Sequence, residues 1–281
     1  MNVDEYLKKL DCLDCKEVSL ENLKKLQSNH LKRIPFENID MHMGKKITFS
    51  NEDSFDRFIN KSRGGYCLQL NPLFGWLLKE LGYSIQLVPS YPYVHFFEKF
   101  LPMPIHSMII AKLNDKLYYV EVGTPRIINE PIELELDLIQ VKKYGVYRFS
   151  KIENDIYLLD RAKREDYLGG KTTWVHQIKF KLEPADSDYF RTLNELIQTP
   201  EHPIYFSFSL VSIHTENSIL ILYGSIYIEI KFDENYNETK IVKTLTAEEF
   251  KDALKNKFHL DIDDSFIPVN ETREMCIKID K

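Results

Sequence analysis

The sequence predicts an α+β protein, because helical and strand patterns occupy separate parts of the chain. Apolar residues recur at helical spacing up to about Gly82. From about Tyr83 to Phe190, β-branched and aromatic residues lie between turn signals, which is typical of strands. The rest of the chain combines further strands with a C-terminal helix. With 281 residues and neither internal repeats nor low-complexity linkers, we expect these parts to pack as one body.

The first region is predicted to contain three helices. Ser19, followed by Asn22, is typical of a helix start. The apolar positions that come next at helical spacing are Leu20, Leu23, Leu26 and Leu31. A short helix is predicted from Phe55, Phe58 and Ile59. The third helix begins at Cys67 and stops at Gly82, and its apolar stripe consists of Leu70, Leu73, Phe74, Leu77, Leu78 and Leu81.

Strands are predicted in the second and third regions from their β-branched and aromatic content. The segments are 85–89, 107–113, 117–122, 174–182 and 218–232. A final helix is predicted after Thr246, where Glu249 completes a capping box.

The charge balance limits the possible partners. A net charge of −6 and a pI near 5.8 argue against nucleic acid or an anionic membrane. The first residues are polar and acidic, unlike a signal peptide. No apolar run approaches the roughly 18 residues that span a bilayer. We therefore expect a cytoplasmic protein.

Cys12 and Cys15 form a Cys-x-x-Cys pair. A metal or redox role is one interpretation, but no second pair completes a zinc site and no βαβ pattern surrounds it. We favour the other interpretation, two thiols beside a helix. Because His30, His42 and His95 do not form a ligand cluster, the sequence predicts no metal.

Cys67 stands at the junction between a glycine-rich turn, Arg63-Gly64-Gly65-Tyr66, and a helix. At a helix N-terminus a thiol meets the positive end of the helix dipole and unpaired N–H groups, which favour thiolate. Many cysteines in such positions are simply buried structure. The nucleophile hypothesis therefore needs a base and an orienting acid.

His106 and Glu121 supply these groups if residues 106–123 form a hairpin. A two-residue turn at Asn114-Asp115 would pair His106 with Gly123. Glu121 then lies diagonally on the same face, roughly 7–8 Å away and within side-chain reach. A register slip of one residue would separate them. A histidine at a strand start is often only surface, but a glutamate in the apolar run Tyr-Tyr-Val-Glu-Val needs a partner.

The predicted chemistry is that of a nucleophile, a base and an orienter. His106 would take the proton of Cys67, forming a thiolate–imidazolium pair. Glu121 would hold the imidazole tautomer and stabilise its charge.

At these residues the chain resembles the arylamine N-acetyltransferase family. The shared motifs are Arg63-Gly-Gly-x-Cys67 with Asn71 after it, Pro35-Phe36-Glu37-Asn38, a strand opened by His106, and an acid-Val-Gly ending at Gly123. Their order and spacing agree, and the resemblance extends well over residues 1–135.

The resemblance implies a helical bundle (1–83), an antiparallel β-barrel (84–190) and a C-terminal α/β lid (191–281). It also implies ping-pong acetyl transfer from acetyl-CoA, through a Cys67 thioester, to an aromatic amine or hydrazine. The coenzyme would pass near Ile105, Gly123 and Thr124.

The family pattern further implies a buried Glu37–Arg63 ion pair beside Asn71 that supports the site. The alternative is a surface pair of little energetic value. The apolar neighbours Ile34, Phe36 and Ile39 favour burial.

This chain differs from the family pattern at three places. Glu121 replaces the usual aspartate, Gln69 replaces a glutamate two residues after the nucleophile, and Thr124-Pro125-Arg126 replaces a Phe-Gly loop. Two other classes therefore stay open. One is a different Cys-His-acid enzyme, such as an amide synthase or hydrolase, and the other is an inactive member that binds coenzyme A or a small ligand.

Overall fold

The computed structural model describes residues 1–94, 98–125, 128–153, 155–199, 208–263 and 265–269. The helices are α1 (Val3–Leu10), α2 (Leu20–Arg33), α3 (Ile39–His42), α4 (Asn51–Phe55), α5 (Cys67–Glu80), α6 (Arg164–Leu168), α7 (Ser187–Ile197) and α8 (Ala247–Asn256). A π-helical turn, Asp56–Asn60, continues α4.

The strands form two antiparallel sheets. In chain order they are β1 (Phe36–Glu37), β2 (Ser84–Val94), β3 (Lys99–Phe100), β4 (His106–Leu113), β5 (Lys116–Val120), β6 (Ile132–Glu133), β7 (Gln140–Lys142), β8 (Gly145–Ile152), β9 (Ile156–Ala162), β10 (Val175–Lys181), β11 (Leu210–His214), β12 (Ser218–Tyr223), β13 (Ile226–Phe232) and β14 (Glu238–Thr244). The larger sheet has the order β6-β5-β4-β2-β10-β9-β8-β7 and curls into a nearly closed barrel, with β3 paired to β2.

The smaller sheet joins the two ends of the chain. Its order is β1-β11-β12-β13-β14, so the short strand β1 from the helical region pairs with the C-terminal strands. Helix α8 covers this sheet, where Phe250, Ala253 and Leu254 are buried against Val211 and Leu222. The sheet and α8 form the lid.

The helical core contains the buried face of α5. Leu70, Leu73, Phe74, Leu77 and Leu78 are almost inaccessible and belong to one cluster with residues of α1, α2 and the β4–β5 hairpin. A helix that is buried on most sides is held in place by packing rather than by its own propensity. The first residue of α5, Cys67, is therefore fixed relative to the hairpin.

The predicted α+β class, with helices, barrel and lid in that order, is confirmed. The helix starts are also confirmed: the Ser19 hydroxyl accepts from the Asn22 N–H, and Thr246 and Glu249 form the capping box. The segment 218–232 is not a single strand, because a turn at Gly224 divides it into β12 and β13. The boundaries 83/84 and 190/191 stay a prediction.

Among the residues described, no helix is both long and apolar enough to cross a bilayer.

Candidate active site

The glycine-rich turn before Cys67 lies against the segment Pro35–Glu37. The Gly65 N–H donates to the Pro35 carbonyl (3.2 Å), and the Glu37 N–H donates to the Gly65 carbonyl (2.8 Å). A Cβ at Gly64 would lie 2.1 Å from the Pro35 carbonyl oxygen. Gly64 is therefore required by this close approach, and at Gly65 a Cβ would lie 2.6 Å from Gln69 Oε1 and 2.9 Å from the Phe58 ring.

A buried ion-pair network holds this turn. Arg63 Nη2 lies 2.8 Å from Glu37 Oε1 and 3.2 Å from Asp40 Oδ1. Arg57 Nη2 lies 2.5 Å from the same Glu37 oxygen, and its Nη1 contacts Asp40 Oδ2. Burial opposes ionisation of Asp40, but the two guanidinium groups outweigh it and lower its pKa to about 2. Two arginines and two carboxylates thus neutralise each other.

Sequence reasoning identified Glu37 and Arg63 but missed Arg57 and the charge role of Asp40. Arg57 lies in the π-helical turn, and its Nε also donates to the Gly64 carbonyl (2.5 Å). A π-helical turn often occurs at a functional site. The periodicity of apolar residues does not reveal it.

The β4–β5 hairpin has the predicted register. Asn114 and Asp115 both have positive φ and form the two-residue turn, and the pairs run from Leu113 with Lys116 to Ile109 with Val120. Continued by three residues, this register brings His106 opposite Gly123. Pairing stops at Val120, however, so Glu121 lies just beyond the strand rather than inside the predicted segment 117–122.

Cys67, His106 and Glu121 are brought together where α5 meets this hairpin. His106 Nε2 lies 2.6 Å from Glu121 Oε2, and the Cys67 side chain is close enough to the imidazole to raise the pKa of His106. Because Nε2 is engaged with the carboxylate, Nδ1 is the ring nitrogen available to the thiol. The three side chains are at least 93 % buried.

The longer side chain of glutamate is accommodated by donors on three sides. Glu121 Oε1 accepts from Asn71 Nδ2 and from the Gly123 N–H, each at 2.7 Å. Its other oxygen, Oε2, accepts from the Tyr119 hydroxyl at 2.9 Å in addition to His106. Every lone-pair direction facing the protein is thereby used, which stabilises an anion in a buried site.

Asn71 also connects the helix to the hairpin. Its Nδ2 donates to the Ser107 carbonyl (2.7 Å), its Oδ1 accepts from the Val122 N–H (3.0 Å), and the Ser107 hydroxyl donates to the Cys67 carbonyl (2.9 Å). These contacts fix the helix that carries Cys67 against the strand that carries His106.

The electrostatics favour charged forms of both partners. Burial opposes the imidazolium, but the Glu121 carboxylate and the Cys67 side chain outweigh it and raise the pKa of His106 to about 10. Burial likewise opposes the Glu121 anion, while His106, Asn71 and the Gly123 N–H together lower the pKa of Glu121. The pair is therefore an ion pair near neutral pH.

The raised pKa of His106 predicts how the free energy of unfolding depends on pH. Between the unfolded pKa near 6.5 and the folded value of about 10, the native state binds one more proton than the unfolded state. Stability from this group is therefore complete below about pH 6.5 and is lost as the pH rises towards 10. We expect the difference in free energy of unfolding between wild type and H106N to shrink over this range in denaturant titrations. A constant difference would contradict the assignment.

Gly123 packs directly on Cys67. A Cβ there would lie 2.7 Å from the Cys67 Cα and 2.6 Å from Asn71 Nδ2. We expect G123A to cost about 1–3 kcal/mol of unfolding free energy and to slow alkylation of the Cys67 thiol about a hundredfold by displacing it from His106. G75A is the matched control, because a Cβ there would first meet a movable Ile85 methyl at 3.2 Å. Wild-type rates in G123A would show that the hairpin can shift.

A cavity of about 710 Å³ opens beside His106 between barrel and lid. Its walls include Phe36, Asn38, Tyr93, Leu101, Tyr119, Phe208, Leu210, Tyr223 and Ile228, with Lys240 from the lid edge. Ile105, Gly123 and Thr124, the positions predicted to lie near coenzyme, also line it. Pro125 follows in the wall, whereas Arg126 lies outside the described residues.

The substitution at Gln69 leaves the helix start intact. Gln69 Oε1 accepts from the Tyr66 N–H (3.4 Å), and the Gln69 N–H donates to the Tyr66 carbonyl (2.8 Å) at the N-terminus of α5. An amide oxygen can accept here as a carboxylate does.

Cys12 and Cys15 lie away from this site, in the turn after α1. Both are fully buried, and burial raises the pKa of Cys12 and takes that of Cys15 to about 12. A thiol so disfavoured as thiolate is a poor nucleophile. Cys276 and His95 lie outside the described residues. Within the described residues, no group of three or more His, Cys, Asp or Glu side chains could hold a metal ion.

Comparison with known proteins defines the class. A protein-family model described as N-acetyltransferase matches residues 19–267, most of the chain. The structure resembles the arylamine N-acetyltransferase of Mycobacterium abscessus, with a TM-score of 0.82 at 22 % identity over 94 % of this chain and 91 % of that one. The enzyme from Salmonella typhimurium gives a TM-score of 0.81 at 19 % identity over 94 % and 92 %. These likenesses confirm the fold.

Curated relatives narrow the class. The pineal gland isozyme NAT-3 of arylamine N-acetyltransferase from Gallus gallus is 29 % identical over 97 % of this chain and 99 % of its own length. Arylamine N-acetyltransferase 1 from Rattus norvegicus is 27 % identical over 95 % and 97 %. The chain belongs to the arylamine N-acetyltransferase family and is an acyltransferase.

Proposed function

We propose that this enzyme transfers an acetyl group from acetyl-CoA, through a thioester on Cys67, to an arylamine or arylhydrazine. The observation that carries the proposal is the position of Cys67 beside the hydrogen-bonded pair His106–Glu121, next to a cavity between barrel and lid. Within a family of N-acetyltransferases, this arrangement supports Cys67 as the nucleophile, His106 as the base and Glu121 as the orienting acid.

In the first half-reaction, the Cys67 thiolate attacks the carbonyl carbon of acetyl-CoA. The carbon–sulfur bond to coenzyme A breaks, and the leaving thiolate takes the proton of the His106 imidazolium. The exchange of one thioester for another changes the free energy little. The acyl-enzyme intermediate divides the overall transfer into two easier steps. The N-terminus of α5 presents the positive end of the helix dipole to the reacting carbonyl, which suits a developing oxyanion.

In the second half-reaction, the amine nitrogen attacks the Cys67 thioester. Neutral His106 accepts the proton from nitrogen as the amide bond forms, and Cys67 leaves as thiolate. Each cycle thus restores the thiolate–imidazolium pair. Glu121 keeps its charge throughout and stabilises the imidazolium whenever it forms.

The cavity supports an aromatic acceptor. Phe36, Tyr93, Tyr119 and Tyr223 contribute ring surface, on which a planar amine can pack. Thr124 gives the cavity wall a small polar side chain. Coenzyme and acceptor would both lie along the wall formed by Ile105, Gly123 and Thr124. The names of the relatives in chicken and rat support an arylamine acceptor for this chain.

The test is to incubate the protein with acetyl-CoA without amine and analyse peptides by mass spectrometry. We expect Cys67 to gain about 42 Da, an acetyl group in place of hydrogen, and to lose it when an aniline or hydrazine is added. C12S is the matched control, which should acquire the same adduct, whereas C67S should not. An intact, unmodified Cys67 thiol would overturn the proposal, and loss of the adduct to water alone would indicate a hydrolase.

A further inference from the structure

Tyr119 makes a contact with the site that the three-residue arrangement does not require. Its hydroxyl donates to Glu121 Oε2 at 2.9 Å, the same oxygen that accepts from His106 Nε2 at 2.6 Å. The side chain is fully buried yet forms part of the cavity wall. Tyr119 is therefore in direct contact with the orienting carboxylate.

The position of this hydroxyl is set by rigid surroundings. Tyr119 is paired with Ile110 on β4 and with Ile132 on β6, so its backbone is held from both sides. Its ring meets that of Phe149 edge to face, with centroids 6.3 Å apart. Side chains alternate along a strand, which places residues 119 and 121 on the same side. A fixed ring thus presents its hydroxyl to the carboxylate two residues later.

We propose that Tyr119 is a positioning residue, whose hydroxyl keeps the Glu121 carboxylate ionised and aimed at His106. Glutamate has one more rotatable bond than aspartate, and its two oxygens need separate restraints to stay in one orientation. Asn71 and the Gly123 N–H restrain Oε1, and Tyr119 is the second donor on Oε2. The expected effect of Tyr119 on catalysis rests on the proposed function. Its contact with Glu121 also affects the Cys67 thiol when no substrate is bound.

Loss of the hydroxyl has a defined direction of effect. Besides Tyr119, the titratable groups that face the carboxylate are His106 on β4 and, through it, Cys67 at the start of α5. A donor to a carboxylate favours its ionised form. Without that donor, Glu121 takes up a proton at a higher pH, the imidazolium loses its counter-charge, and the thiolate of Cys67 becomes less populated on the acidic side.

The experiment measures alkylation of Cys67 by iodoacetamide as a function of pH in wild type, Y119F and Y118F, followed by peptide mass spectrometry. We expect the acidic limb of the Y119F profile to move to higher pH by about one unit, so that alkylation at acidic pH is about tenfold slower. This is the size of effect expected from the loss of one hydrogen bond to a charged group. Y118F is the matched control, because Tyr118 points to the other side of the strand and packs in the helical core. Its profile should coincide with that of wild type.

Two further variants separate positioning from packing. In an E121Q background, Y119F should cause no additional shift, because the hydroxyl then has no carboxylate to act on; an equal, additive shift would overturn the proposal. If Y119F does not fold, 3-fluorotyrosine at position 119 keeps the shape and strengthens the donor, and the limb should move to lower pH. A wild-type profile in Y119F, or in the fluorinated protein, would overturn the proposal.

The alkylation readout needs no acetyl donor. A shifted limb together with an absent acetyl adduct would retain the role of Tyr119 and reject the proposed function, while an unshifted limb with a normal adduct would do the reverse.

Discussion

Replacing Glu121 with glutamine is expected to lower the rate of Cys67 acetylation by about 10⁴-fold, as expected when an orienting carboxylate becomes an amide. The glutamine would keep the size of the side chain but lose the charge that stabilises the imidazolium. It would also place an NH₂ group where one oxygen now accepts, facing either Asn71 and the Gly123 N–H or Tyr119 and His106. Single-turnover acetylation by acetyl-CoA, followed by rapid quenching, measures the rate.

E121D is the matched variant, because it keeps the charge and removes one methylene. Its carboxylate must move away from some of its four present donors, and a displacement of about 1 Å costs at most about a hundredfold. E121D should therefore remain at least two orders of magnitude faster than E121Q. If E121Q is acetylated as fast as wild type, another group orients His106.

Replacing Glu37 with glutamine is expected to destabilise the protein by about 3–5 kcal/mol, the usual result of breaking a buried ion pair from one side. The Glu37 carboxylate is fully buried and contacts both Arg57 and Arg63. Its other oxygen also accepts from the Ile39 N–H at 2.9 Å. After the substitution, both guanidinium groups would depend on Asp40, which also lies 3.3 Å from Lys45 Nζ.

Urea unfolding of E37Q and of D56N tests this expectation. Asp56 is paired with Lys61, but both side chains are about half exposed, so D56N should leave the free energy of unfolding nearly unchanged. Because the network holds the turn before Cys67, E37Q should also slow acetylation under conditions where it stays folded. Equal stability of E37Q and D56N would show that the network contributes little to folding.

The helix starts and the hairpin register could be predicted because they depend on interactions between residues close together in the sequence. The side chains of Ser19 and Thr246 accept hydrogen bonds from N–H groups three residues later. The helix starts can therefore be predicted from residues that are close together in the sequence. The hairpin register follows from two turn residues with positive φ and from the alternation of side chains. The meeting of His106 and Glu121 is a consequence of that register, and it could be deduced before any tertiary structure was considered.

Contacts between distant segments were not predictable in this way. Arg57 reaches Glu37 from a π-helical turn that leaves no mark on the apolar pattern. The barrel strands 140–142, 145–152 and 156–162 lie in the region interpreted as strands, but the sequence did not delimit them individually. Helix α7 begins inside the segment interpreted as strands, where short-range signals of the two structures overlap.

The sequence by itself determined the chemical groups and their local frames: a cysteine at the start of a helix, a histidine and a glutamate on one hairpin, and glycines where the chain must approach itself. These depend on interactions between neighbours along the chain, which residue identity controls directly. Only the tertiary structure decided how the helix and the hairpin meet, which donors surround the Glu121 carboxylate, and that a cavity opens beside His106 between barrel and lid. Such features depend on packing between segments far apart in sequence, where many weak contacts act together and no single residue specifies the result.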